Sequence, residues 1–172
     1  MDESEHVKEV YAHFGLAMFL AQCVEQSLIQ LLFFYEFFPK NIKEKIHEDP
    51  GLWAKEYDKY DDLVSSKTMG SLLGAVRKLD VLTELQVEEL KTALEKRNWL
   101  AHSYFSHRSL HFMSFEGRDQ MIKELEECRD FLGNLDNRLM EIISNLSDKY
   151  GITEEALHEM KEEMLREVQS SF

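Results

Sequence analysis

The chain has 172 residues and a formal net charge of −13 at pH 7, from 20 Lys and Arg against 33 Asp and Glu. That length suits one domain, with or without a tail, and a composition of 44% hydrophobic and 31% charged residues excludes a disordered chain and a membrane protein. So acidic a surface repels polyanions on average, which excludes nucleic-acid binding through bulk charge and requires a local basic patch for any such function.

With 7 Gly and only 2 Pro, the sequence favours long helices, and the expected fold class is all-α. The opening MDESEHVKEV is acidic and polar, unlike a secretory signal. A first helix is expected from about Glu5 to Phe38, stopping before Pro39. Its run from 14 to 38 is apolar enough to suggest a membrane span, but Gln22, Glu25, Gln26, Gln30 and Glu36 interrupt it, so it reads as a core helix. Phe33, Phe34, Phe37 and Phe38 near its end suit a core or a dimer interface.

The polar stretch 41–66 follows, broken at Asp49-Pro50-Gly51; its Trp53, Tyr57 and Tyr60 either pack onto the bundle or stack on bases. Ser66 or Thr68 caps a short helix in TMGSLLGAVRKL. Thr83 caps the next helix, expected to run to Phe105, with Gln86 completing a capping box. Residues 106–115, SHRSLHFMSF, lose the helical pattern and read as a loop or short extended excursion. A long helix is expected from about Glu116 to Leu146. In the acidic tail, Leu157, Met160, Met164 and Val168 share one stripe. The division is therefore a helical domain over 1–148 and an acidic helical tail over 149–172. Cys23 and Cys128 have no CxxC partner, which argues against a zinc site or disulfide framework and for a reducing, cytoplasmic setting without a membrane partner.

The chemistry-bearing stretch is RNWLAHSY, 97–104. With each helical residue advancing about 100°, Leu90, Ala93, Leu94, Leu100, Ala101 and Tyr104 all fall within about 60° of Arg97. A guanidinium thus sits at the centre of an apolar stripe, where an unpaired charge costs several kcal/mol. Glu25 has the same standing among Phe14, Met18, Ala21, Leu28, Ile29 and Leu32, so the two are expected to meet where the helices pack or across a dimer interface. The pair either fixes helix register or serves chemistry. His102 and Asn98 close by favour chemistry, as does a basic island over 96–118. That island holds Lys96, Arg97, Arg108 and Arg118 with His102, His107 and His111 against one acid, Glu116. Arginine forks onto phosphate oxygens, and histidine titrates near neutrality. Together they suit metal-free cleavage of RNA: His102 takes the 2′-OH proton, Arg97 stabilises the phosphate, and DNA is spared. Lys96, His107, Arg108 and His111 are the candidate substrate-binding residues. His107 and His111 have the spacing of two metal ligands, but no third ligand completes a set, and neither metal nor cofactor is expected.

The sequence RNWLAH resembles the R-x(4–6)-H hallmark of the HEPN superfamily. TMGSLLGAVRKL and FMSFEGRDQMIKELEECRDFL resemble the segments that flank that motif, so the likeness covers roughly residues 10 to 146. It implies a HEPN-like bundle of four to six helices, here followed by the C-terminal amphipathic helix. It further implies a homodimer through the motif helices, with two Arg/His pairs forming one composite site. Many members are metal-independent ribonucleases of toxin–antitoxin, abortive-infection or phage-defence systems; others are non-catalytic modules that bind RNA, nucleotide or protein. By this resemblance Arg97 and His102 are the catalytic pair, Asn98 the supporting polar residue and Glu25 the acid orienting the arginine. In one subgroup an R-x4-H-x-Y tyrosine is adenylylated by a nucleotidyltransferase antitoxin. Tyr104 matches that position, although its place on the apolar face favours a core aromatic over a modification site.

Overall fold

The computed structural model describes residues 2–152 and, beyond them, positions 155, 158, 162, 166 and 169. The stripe expected in the tail, Leu157, Met160, Met164 and Val168, lies outside the described residues. Those described form helices joined by short turns, with no strand among them. The elements are α1 (Glu3–Leu32), α2 (Phe38–Lys43), α3 (Pro50–Ser65), α4 (Met69–Arg77), α5 (Glu84–His102), α6 (Tyr104–His107), α7 (Ser109–Phe112) and α8 (Phe115–Lys149).

The core is built on α1 and α8. His6 meets Asp119, His13 meets Glu126 and Ser27 meets Asp136, so the two helices run side by side in the same direction. Their buried residues recur at alternating steps of three and four, apart from one full step of seven between Val10 and Ala17: Val10, Ala17, Ala21, Val24, Leu28 and Leu31 on α1, and Met121, Leu125, Cys128, Leu132, Leu135 and Leu139 on α8. That 3.5-residue period keeps one seam facing the partner along the whole length, as in a coiled coil. Ala17 and Ala21 leave room for larger α8 side chains to approach. Truncating Leu132 to Ala in this fully buried seam is expected to lower the unfolding free energy by about 2–5 kcal/mol, read as a lower urea midpoint at unchanged slope.

Three expectations are corrected here. The first helix does not stop before Pro39. It widens into a π-turn over Phe33–Phe37, where the Phe38 N–H reaches Phe33 O, and then continues as α2 with Pro39 in its first turn. A proline lacks the N–H that an ongoing α-ladder needs and its ring crowds the preceding turn; the wider turn accommodates both. Asp49-Pro50-Gly51 is the start of a helix rather than a break. The Asp49 carboxylate accepts from the Gly51 and Leu52 N–H groups at 3.0 and 3.1 Å, with Pro50 at the first helical position. Residues 106–115 are not an extended excursion but two single-turn helices, α6 and α7, folded back on α8.

The caps follow the sequence. The Thr68 side chain accepts from Ser71 N–H. Thr83 accepts from Gln86 N–H at 3.2 Å, while Gln86 Oε1 accepts from Thr83 N–H at 2.8 Å. α5 ends at His102, three residues short of the expected limit, so Tyr104 opens α6 instead of closing α5. The phenylalanine cluster packs on α3: Phe37 lies 5.2 Å from Trp53 and 4.9 Å from Tyr60 between ring centroids, which gives these aromatics a packing role. Tyr150 sits 4.6 Å from the Phe38 ring and Ile152 also packs on the core, so the bundle extends a few residues past 148. The helical stretch Glu3–Lys43 is long and apolar enough for a membrane span by composition, and one face of it forms the core described above.

Candidate functional site

Arg97 lies on α5 between Ala93 and Leu100, both buried, yet its side chain keeps 29% of its exposure. Its four-bond stem covers apolar surface while the guanidinium reaches outward. Glu25 comes from α1, 17% exposed, and the two charges meet within one chain at 3.7 Å between Nη2 and Oε1. That separation is an ion pair without a hydrogen bond. The guanidinium donates instead to Asn98 Oδ1 at 3.2 Å. Contrast Arg108, which forks onto Glu124 with Nε–Oε2 at 2.8 Å and Nη2–Oε1 at 2.5 Å. A charge pair that locks helices together has the second geometry; Arg97 has the first, and among the described residues its remaining donors meet no acceptor.

Arg97 and Glu25 border an open cleft of about 620 Å³ between α1, α5 and α8. Its walls also carry Gln22, Gln26 and Gln30 of α1, Asp136 of α8 and Lys67. Ser27, buried, donates its hydroxyl to Asp136 Oδ1 at 2.6 Å. Cys23 lines the same cleft; burial first, and the nearby Asp136 second, push its thiol pKa up, so it is a protonated bystander at neutral pH. Sequence reasoning treated the three glutamines only as interruptions of an apolar run and missed Asp136 and Lys67. The visible signal was the four-residue spacing of the glutamines, which puts them on one face of α1.

His102, the last residue of α5, and Asn98 are both exposed. Five helical residues turn the chain by about 140° and advance it about 7.5 Å, so His102 leaves α5 on a different side from Arg97. It does not line Arg97's cleft. Ala101, expected in the apolar stripe, is exposed as well, one residue before α5 ends.

The basic island does not survive as a free patch. Arg108 is held by Glu124 and lies 5.3 Å from the Trp99 ring. Arg118, 4% exposed, donates to Phe112 O at 2.9 Å and to His6 Nδ1 at 3.4 Å, with Glu3 at 3.7 Å. Folding α6 and α7 back onto α8 turns these arginines toward acids and carbonyls that the linear sequence places elsewhere. Among the other candidate substrate-binding residues, Lys96 stands 5.6 Å from the Phe131 ring, His111 is half-buried, and exposed His107 accepts from the Trp99 indole N–H at 3.1 Å. Among the described residues no three His, Cys, Asp or Glu side chains group as metal ligands do.

Tyr104 is a core residue. It is 1% exposed, packs against Trp99 and Phe105, and donates its hydroxyl to Met121 O at 3.2 Å. Burial first, and Glu124 second, raise its phenol pKa well above the ordinary value. An adduct on that oxygen would require α6 to separate from α8. Replacing Tyr104 by Phe is expected to cost about 1 kcal/mol through the lost hydrogen bond, measurable as a small drop in the urea midpoint.

No protein-family model matches the chain, and neither the curated proteins nor the solved structures searched include a significant match.

Proposed function

We propose that the chain is a metal-independent RNA endonuclease of HEPN type, a toxin or phage-defence effector working in the cytoplasm as a homodimer. The observation that carries this reading is the looseness of Arg97: a half-exposed guanidinium at a cleft, beyond hydrogen-bond reach of its acid. A permanent charge kept in an apolar stripe without a locking partner is available to a phosphate. Because Arg97 and His102 leave α5 in different directions, the Arg of one copy and the His of another share a phosphate across the two motif helices. His102 removes the ribose 2′-OH proton, and the oxygen attacks the adjacent phosphorus. The 5′-oxygen departs with a proton from water, leaving a 2′,3′-cyclic phosphate and a 5′-OH, and protonated His102 returns its proton to the solvent. Arg97 stabilises the charge that builds on the non-bridging oxygens, Glu25 limits its swing, and Asn98 holds one edge.

Purified protein in EDTA is expected to cut single-stranded RNA to cyclic-phosphate ends and to leave DNA of the same sequence intact; intact RNA under these conditions overturns the reading. A second reading, a non-catalytic dimer that binds RNA, nucleotide or a partner protein, draws on the pairing of Arg108 and Arg118 with internal partners. That pairing takes two arginines of the 96–118 island away from a polyanion. It gains if RNA binds and is never cut.

A further inference from the structure

We propose that the cleft beside Arg97 is a base-reading pocket for single-stranded RNA, selecting bases that carry an exocyclic amino group over uracil; this rests on RNA being the ligand, as argued above. The cleft's charge is the first argument. Arg97 and Lys67 are balanced there by Glu25 and Asp136, so the interior has no net attraction for a run of phosphates. It suits an uncharged polar group, with the adjoining phosphate left at the Arg97 rim. A volume of about 620 Å³ is within the range of small-ligand sites.

The second argument is the kind of polar groups present. Ser27 is buried and its hydroxyl hydrogen is engaged by Asp136 Oδ1, which fixes that carboxylate and leaves Oδ2 as an acceptor. Glu25, without a hydrogen bond from Arg97, adds further acceptor capacity. Adenine, cytosine and guanine each present an amino group to such oxygens. Uracil presents two carbonyls and one N–H, so it sets oxygen against oxygen and leaves a carboxylate unpartnered. Gln22, Gln26 and Gln30 stand one turn apart, about 6 Å along α1, and each amide offers one donor face and one acceptor face. Phe19, 59% exposed on the same cleft, supplies a ring on which a splayed base stacks. A rigid acceptor, an amide ladder and an exposed ring beside a phosphate-competent arginine are what reading an unpaired base requires.

The test uses the full chain and fluorescein-labelled 2′-O-methyl octamers of A, C and U, which cannot be cut because the attacking hydroxyl is blocked. Anisotropy titrations are expected to show oligo(A) and oligo(C) binding about tenfold tighter than oligo(U), the difference one hydrogen bond to a charged group makes. Gln26→Ala, at an exposed position, and Asp136→Asn, which keeps an acceptor for Ser27, are each expected to erode that ratio without moving Tm. Equal binding of all three octamers overturns the proposal, as does a preference that both variants leave intact. Cleavage of ordinary RNA, run in parallel, separates this proposal from the nuclease reading. Cutting without base preference overturns the pocket and keeps the nuclease; preferential binding without cutting does the reverse. If RNA is neither bound nor cut, both fall.

Discussion

His102→Ala is expected to slow RNA cleavage by about 10²–10⁴-fold while shifting Tm by no more than about 2 °C. The kinetic half follows from the role: a general base positioned on the 2′-OH contributes roughly that factor. The stability half follows from placement, since His102 is exposed at the end of α5 and its removal leaves no cavity. Arg97→Lys sharpens the assignment. Lysine keeps the charge that faces Glu25 but loses the planar fork, so stability holds and cleavage falls. Arg97→Ala leaves Glu25, 17% exposed, without a counter-charge it met at 3.7 Å but did not hydrogen-bond, and is expected to cost about 1 kcal/mol. A purely structural arginine predicts another pattern, in which Arg97→Ala unfolds the chain and His102→Ala changes nothing. Mixing Arg97→Ala protein with His102→Ala protein is a further check on the shared site. Mixed dimers holding one intact Arg and one intact His recover part of the cleavage that each variant lacks alone. No recovery would place the pair within one subunit.

The parts of this architecture that were legible in the sequence are those set by local chemistry. The capping box at Thr83 and Gln86, the cap at Thr68 and the helix over Glu116–Leu146 are written in short-range signals that tertiary packing had no reason to override. The meeting of Glu25 with Arg97 was legible for a different reason. Two opposite charges, each centred in an apolar stripe, have few other ways to avoid isolation. What failed depended on contacts between distant segments. Pro39 reads as a stop unless a π-turn relieves it. SHRSLHFMSF has no helical period because each of its two helices is a single turn, too short to repeat. The basic island was a property of the linear order, and Glu124 and Glu3 dissolved it in three dimensions. Asp136 and Lys67 reach the cleft from separate parts of the chain, and no spacing rule could have joined them to Arg97.

Gly117→Ala is expected to destabilise the fold by about 3 kcal/mol or more, lowering Tm by about 6–12 °C. Gly117 lies in the first turn of α8, directly under α7. A methyl group there would stand 2.1 Å from His111 O, 2.6 Å from its Cα and 2.7 Å from its carbonyl carbon. These are backbone atoms, so no rotamer change relieves the clash, and α7 must lift away. The same small area holds Arg118 on Phe112 O, and His6 against Phe115 at 4.1 Å between ring centroids. Displacing α7 therefore leaves a 4%-exposed guanidinium short of an acceptor and loosens the start of α1. Gly15→Ala is the control of opposite sign. Gly15 is inside α1, a methyl group there meets nothing within 4 Å, and the change removes unfolded-state freedom, so stability should rise by about 0.4–1 kcal/mol. The Gly117 variant also bears on function. α6 is tied to the end of α5 by the Trp99–His107 hydrogen bond and to α8 by the Tyr104 hydroxyl on Met121 O, so shifting the α6–α7 pair moves His102. Cleavage by Gly117→Ala protein should accordingly fall well below the loss explained by its unfolded fraction at the assay temperature. If activity merely tracks that fraction, the α7 contact is a matter of stability alone.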